Sequence, residues 1–215
     1  DYAFLTWGLI ELYEATFKTH YLQKALKLTE TMFSCFWDGA HGGFYLTSKD
    51  SEALLVRQKE IYDGAVPAGN SVAMLNLFRL SHLTGKQEWE VKALQMQETF
   101  APSINPYPLA HTFFLSSVLL SLASFHEIVV VGNSQSKETQ DVLKAIRGEF
   151  LPHKVLLFKP TEEANPSIEE IADFLKHQKP LQDQTTIYVC QNYSCNQPVP
   201  QINEVLTLLR RKPIP

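Results

Sequence analysis

The chain contains a partial copy of itself. "LYEATFKTHYLQKALKLTET", from Leu12 to Thr31, aligns without a gap on "LSHLTGKQEWEVKALQMQET", from Leu80 to Thr99, at an offset of 68 residues. Leu12 matches Leu80, Thr16 matches Thr84 and Tyr21 matches Trp89. Lys24-Ala25-Leu26 matches Lys92-Ala93-Leu94, and Glu30-Thr31 matches Glu98-Thr99. Each copy reads as the end of one helix, a turn and an amphipathic second helix. A repeat of this kind belongs to arrays or toroids of helical hairpins, in which each pair buries its apolar face on the next. An open array of such apolar helices exposes a face. Further hairpins or a partner are therefore expected N-terminal to Asp1, and the chain alone is expected to self-associate.

Periodicity supports the helices. Tyr21, Ala25, Leu28 and Met32 fall on one face, and Trp89, Ala93, Met96 and Phe100 repeat the spacing. The pattern predicts helices over about 2–17, 20–36, 70–83, 86–100 and 107–124. From His126 the pattern changes. "EIVVVGN", "KVLLFK" and "TTIYVCQ" read as strands, alternating with helices in "KETQDVLKAIRGEF", "SIEEIADFLKHQ" and "QINEVLTLLRR". Ser167 and Glu170 form a capping box for the second of these. The fold class expected is mainly α with an α/β tail. Helical hairpins of an (α/α) toroid occupy 1–125, with a β-containing insert at about 38–68, and a small parallel βαβαβα segment fills 126–215.

The bulk properties exclude several classes. A net charge of -4, with 20% charged residues of both signs interspersed, leaves no footprint for nucleic acid or anionic membrane. No apolar run reaches the roughly 20 residues that span a bilayer. Three cysteines do not make a disulfide scaffold, so a reducing, cytoplasmic setting is expected. The histidines are scattered with no H-x-x-x-H, which gives a metal site no support. "NSQSKE" after Gly132 lacks the glycine fingerprints of nucleotide loops, and no cofactor is expected.

Function is expected where the rhythm breaks. "WDGAHGGFYLTSKD" has a Gly-rich turn at His41-Gly42-Gly43, then an alternating Phe44-Tyr45-Leu46-Thr47 strand. "IYDGAVPAGNSVAMLNL" follows, leading into an apolar helix. The 68-residue offset places Asp1 on Gly69 and Tyr2 on Asn70, at the same end of equivalent helices. The next such helix starts near Tyr107. One rim thus collects Asp1, Tyr2, Trp37, Tyr45, Arg57, Glu60, Tyr62, Asp63 and Asn70. Aromatics stack on the CH faces of a sugar or polyol and acids bond its hydroxyls, so that is the ligand expected. Tyr2, Trp37, Tyr45, Tyr62 and Asn70 are the binding candidates. Asp63 and Glu60 are the catalytic candidates, one acting as an acid if burial raises it while the other stays ionised. The bland alternatives stand beside these: Asn70 or Ser71 as a helix cap, and Asp63 as a turn residue with Gly64.

His111, one turn into an apolar helix, is either a proton-transfer group at the mouth or a satisfied core histidine. Cys190 and Cys195, spaced C-x4-C at the end of the third strand, are redox candidates, either two thiols or a disulfide across a tight loop.

Taken in order, "DYAF", "LYEAT", "CFWDGAHGGFYLT", "KEIYDGAVPAGNS", "NLFRL", "IVVVG" and "YVCQNYSCNQPV" resemble one protein set over essentially the whole chain. It is the C-terminal part of the thioredoxin-domain-containing, N-acylglucosamine 2-epimerase-like family. That family takes in the spermatogenesis-associated thioredoxin-like protein of animals and its bacterial relatives. The resemblance implies an N-terminal thioredoxin-like domain, then an (α/α)6 toroid like those of sugar epimerases and six-hairpin glycosidases, then a small α/β segment. This chain would hold the last hairpins and that segment. The redox C-x-x-C and the earlier rim residues would lie elsewhere, leaving the fragment alone inactive. Val66 stands where the pattern has an acid, and Ala68 where it has Ser. Two functions follow as rivals: a sugar-binding or carbohydrate-active mouth, and a non-catalytic scaffold of a thioredoxin-fused redox protein.

Overall fold

The computed structural model describes residues 1–52, 54–123, 125–191, 194–195, 197–199 and 201–210; the side chains of 194, 195 and 208–210 lie outside that description. The chain forms two compact units, one of Asp1–Ser81 with Lys86–Leu122 and one of His82–Gly85 with Ala123–Pro215.

The first unit is built on helices α1 (Tyr2–Thr16), α2 (Thr19–Phe36), α3 (Gly69–Thr84), α4 (Gln87–Ile104) and α5 (Thr112–Leu122). α2 buries Leu22, Ala25, Thr29 and Met32, and α4 buries Trp89, Ala93, Met96, Phe100 and Ile104. That is the one-sided stripe of a helix with solvent behind it. α3 is different: from Asn70 to Thr84 every residue but Leu75 is buried. A helix buried on all sides is a core helix with neighbours all round, and its polar side chains must find partners there. The repeat extends to the backbone. α1 ends on Phe17 in the left-handed region (φ 56), and α3 is followed by Gly85 at φ 73, 68 residues on. Both turns need a residue that tolerates positive φ, and glycine does so at less cost than phenylalanine.

Boundaries shifted at the prolines. α4 runs to Ile104, with Pro102 in its last turn. Pro108 opens a short 3-10 turn, Pro108–Ala110, before α5 starts at Thr112. The insert is not a strand pair. The expected strand at Phe44–Thr47 reduces to one isolated bridge, Trp37 to Phe44. Gly42 (φ 85) and Gly43 (φ 78) turn the chain too tightly for a ladder to continue.

The second unit carries β1 (His126–Gly132), α6 (Lys137–Gly148), β2 (Lys154–Pro160), α7 (Ile168–Ile171), β3 (Thr186–Gln191), β4 (Ser194–Cys195) and α8 (Ile202–Arg210). The sheet order is β2-β1-β3-β4. β1 and β2 pair in parallel from His126 with Lys154 to Gly132 with Pro160, as a βαβ unit across α6 requires. Ser136 caps α6 by accepting from the Thr139 N–H. The all-parallel expectation fails at β3, which runs antiparallel to β1. The expected helix over 167–178 breaks into α7, a bend at Ala172 and a 3-10 turn over Asp173–His177, and Ser167 makes no capping bond to it. α7 advances only about 6 Å at 1.5 Å per residue. It does not carry the chain back along the strand, so β3 starts at the edge where β2 ended.

Two contacts fix this unit's packing. At Gly132 an added Cβ would lie 2.6 Å from Thr139 Oγ1, so only glycine lets β1 end against α6. Below it, His82 Nδ1 and Glu127 Oε1 meet at 2.5 Å, both side chains buried, with the imidazole stacked on Phe125 at 4.0 Å.

Candidate functional site

The insert between α2 and α3 is held by three polar anchors. Asp38 is the first. Its carboxylate accepts from the Ala40 N–H (2.9 Å), the His41 N–H (3.2 Å), the Tyr45 hydroxyl (2.8 Å) and the Lys59 ammonium (2.6 Å). Burial alone would push this carboxyl up. The bonds from Lys59, Tyr45, Ala40 and His41 outweigh burial and hold it far below the usual carboxylate range. The same bond to Asp38, with burial behind it, raises the Tyr45 phenol. Tyr45 is therefore a neutral, fixed donor, with Arg57 Cζ 4.0 Å from its ring centroid.

Asn70 is the second anchor. Its Oδ1 accepts from the Phe44 N–H (2.7 Å), and its Nδ2 donates to the Phe44 carbonyl (2.9 Å) and the Glu60 carbonyl (2.8 Å). The side-chain amide stands in for one residue of a β-ladder and ties the insert to the first turn of α3. Asp63 is the third. Oδ1 accepts from the Ala68 N–H (2.8 Å) just before α3, and Oδ2 from the Phe114 N–H (2.9 Å) in the first turn of α5. Those N–H groups are among the orphans of a helix start, and a carboxylate there is favoured. His111 Nδ1 is 2.9 Å from the Ile61 carbonyl and closes the same junction.

These anchors leave a cleft of about 110 Å³, several times the ~10–15 Å³ that one water needs. Asp1, Tyr2, Tyr45, Glu60 and Asn70 line it, over a floor that includes Met32, Phe36 and Phe44. Tyr2 packs on Phe36 at 5.3 Å. Five of the rim residues expected from the sequence thus converge. Trp37, Tyr62, Asp63 and His111 do not line the cleft. Trp37 packs against Phe33 and Phe44 beneath the insert, with Lys92 5.0 Å from its ring. Tyr62 is largely exposed, and its N–H donates to Glu60 Oε1 at 3.1 Å. Asp38 and Lys59 were missed in the sequence. The Asp-Gly dipeptide at 38–39 was the available signal, since a turn aspartate binds the N–H two residues on, as Asp38 does with Ala40.

In the second unit, Cys190 pairs in register with Cys195 across β3 and β4. Cys190 is buried and disulfide-bonded, and Cys35 is a free thiol. The Cys195 side chain lies outside the described residues. Beyond β1, the Ser134 N–H donates to both Glu162 oxygens at 3.1 Å. An internal carboxylate thus takes the loop position that a phosphate occupies in nucleotide folds. Among the described residues, no group of three or more His, Cys, Asp or Glu is arranged to hold a metal ion. No helix among them is long and apolar enough to cross a membrane.

No family model matches the chain. Over 97% of its length it is 32% identical to spermatogenesis-associated protein 20 of Homo sapiens, and over 98% it is 31% identical to the Mus musculus protein of that name. An uncharacterized protein of Caenorhabditis elegans is 29% identical over 98% of the chain. The chain spans 27% of the human and mouse proteins and 28% of the nematode protein, so it is about a quarter the length of these relatives.

Proposed function

We propose that this chain forms part of a longer helical-array protein of the (α/α)6-toroid kind, and that its cleft is one lip of a sugar or polyol site. The observation that carries this reading is the lining of the cleft. Two tyrosines, two carboxylates and an apolar floor surround a space of about 110 Å³. Rings offer flat apolar faces to sugar CH groups, and carboxylates accept from hydroxyls. In this reading Tyr2, Tyr45 and Glu60 contact the ligand. Asn70, Asp63 and His111 set the position of the lip, since their polar atoms bond backbone groups of the insert and of the two helix starts. Glu60 is the carboxylate available to act as an acid or base, in an epimerase-like or glycosidase-like reaction. A partner acid would come from the remainder of the longer protein, as would the thioredoxin-like domain.

The test is titration of the full-length protein with a panel of monosaccharides and polyols. Tyr2→Ala and Glu60→Gln are each expected to weaken binding about ten-fold, with the circular dichroism spectrum unchanged. If no member of the panel binds, the reading fails.

A second reading is favoured by the register of Cys190 opposite Cys195. The chain then serves as a non-catalytic scaffold whose hairpin disulfide exchanges with a dithiol partner. That dithiol leaves as a disulfide, and Cys190 and Cys195 are left as two thiols. Differential alkylation after a mild dithiol reductant should label both residues while the fold persists. Resistance to reduction in the folded protein would remove this reading.

A further inference from the structure

We infer that Glu127 is the acceptor for the Cys190 thiol: when the Cys190 disulfide is reduced, the new S–H is taken up by the buried Glu127 carboxyl, which favours the reduced pair. The inference deepens the second reading above and rests on it.

Three observations converge. The first is register. β1 and β3 run antiparallel with Glu127 directly opposite Cys190. Residues so placed share a face of the sheet, with Cβ atoms about 4.5–5.5 Å apart. Both side chains are withdrawn from water, Glu127 at 2% exposure and Cys190 at 3%. The second is the state of the carboxyl. His82 Nδ1 lies 2.5 Å from Glu127 Oε1, so that oxygen is engaged. Oε2 is buried with no hydrogen-bond partner among the described residues. Val155, opposite Glu127 on β2, and Val129, next along β1 on the same face, have no donor to offer. The Tyr188 hydroxyl on that face donates elsewhere, to the Lys179 carbonyl at 2.7 Å. An unmet buried acceptor is unfavourable, and native proteins carry few. The third is chemical. In the disulfide the Cys190 sulfur has no hydrogen to donate, and as a thiol it has one. The donor that Oε2 lacks is therefore created by reduction.

The exchange balances as follows from the burial of Cys190. An incoming thiolate does not reach that sulfur, so a partner dithiol attacks the sulfur bonded to it. A mixed disulfide forms there and Cys190 leaves as a thiolate. The partner's second thiol breaks the mixed disulfide, and the partner departs as a disulfide. Two electrons pass from partner to protein. The partner's two thiol protons end on Cys190 and Cys195, the first of them shared with Glu127 Oε2.

The test uses the full-length protein equilibrated with dithiothreitol, with isotope-coded alkylation reading the Cys190 peptide. Glu127→Gln should lower the equilibrium constant for reduction about ten-fold, a shift of about 30 mV. A carboxyl that only fills space affects the oxidised and reduced folded states alike and leaves that constant unmoved. A second comparison is made without the disulfide, in a Cys195→Ala background. In a buried apolar position serine is the worse replacement for cysteine, because its hydroxyl is stripped of water. Here Cys190→Ser should melt at least about 2 °C above Cys190→Ala, because the serine hydroxyl donates to Oε2. If no dithiol reduces the folded wild type, the second reading falls and the inference with it. If the wild type is reduced and Glu127→Gln shifts nothing, the inference alone falls. Should Glu127→Gln not fold, the serine comparison decides, and an alanine variant at least as stable as the serine one would overturn the inference.

Discussion

At the residue scale the informative group is Asp38, whose carboxylate bonds one cation, one phenol and two backbone N–H groups. Breaking a buried pair by removing one partner costs more than the pair itself contributes, because the remaining charge stays desolvated. Asp38→Asn leaves Lys59 in that position. It should destabilise the protein by about 3 kcal/mol near neutral pH, read by urea unfolding. The pH dependence has a definite sign. The folded carboxyl lies below its ordinary value, so its contribution is fully present above that value, near pH 4, and is lost as pH falls through the folded value. The gap between wild type and Asp38→Asn should stay constant from pH 7 to about pH 5 and narrow below about pH 4. A gap that stays constant down to about pH 2.5 would show that Asp38 has no depressed carboxyl. The importance of Asp38 was hidden in the sequence because Lys59 and Tyr45 are remote from it along the chain. Only the turn bonds to the Ala40 and His41 N–H groups are local.

At the element scale the sequence was most readable where one face repeats. α2 and α4 follow the 3.6-residue period closely, and even the left-handed turn recurs at Phe17 and Gly85. It was least readable where two elements meet. Gly132 looks like an ordinary strand end, yet its glycine is set by the α6 side chain Thr139 and by Thr185, which hydrogen-bond each other at 2.9 Å. Gly132→Ala places a Cβ within 2.6 Å of Thr139 Oγ1 and should cost about 1–3 kcal/mol. Adding Thr139→Ala removes the clashing hydroxyl, so the double variant should cost less than the sum of the two singles. Simple additivity in thermal unfolding would mean that the two residues do not press on each other. The direction of β3 was likewise unreadable. Alternation of strand and helix patterns indicates a crossover only when the helix is continuous, and the break at Ala172 has no proline or glycine to announce it.

At the scale of the whole molecule, two units have different construction. One is helical, and the other is a mixed sheet with α6 and α8 packed beside it. The relatives share nearly the entire chain at about 30% identity while being far longer. The proposed sugar-binding role of the cleft is therefore a matter for the full-length protein.

The sequence by itself determined helices α1 to α4, α6 and α8, the repeat, the rim on which Tyr2 and Asn70 share an end, and the parallel β1–β2 pair. These follow from local periodicity and from one internal alignment. The tertiary structure alone shows which backbone groups the rim residues bond. In the sequence Asn70 read as a ligand contact or a helix cap, and Asp63 as a ligand-site acid or a turn residue with Gly64, because an amide or carboxylate has the same chemistry in either role. Which role applies depends on which backbone N–H and C=O groups come within about 3 Å. Those groups belong to Phe44, Glu60, Ala68 and Phe114. Phe44 and Phe114 are brought there only when the insert folds back onto α3 and α5.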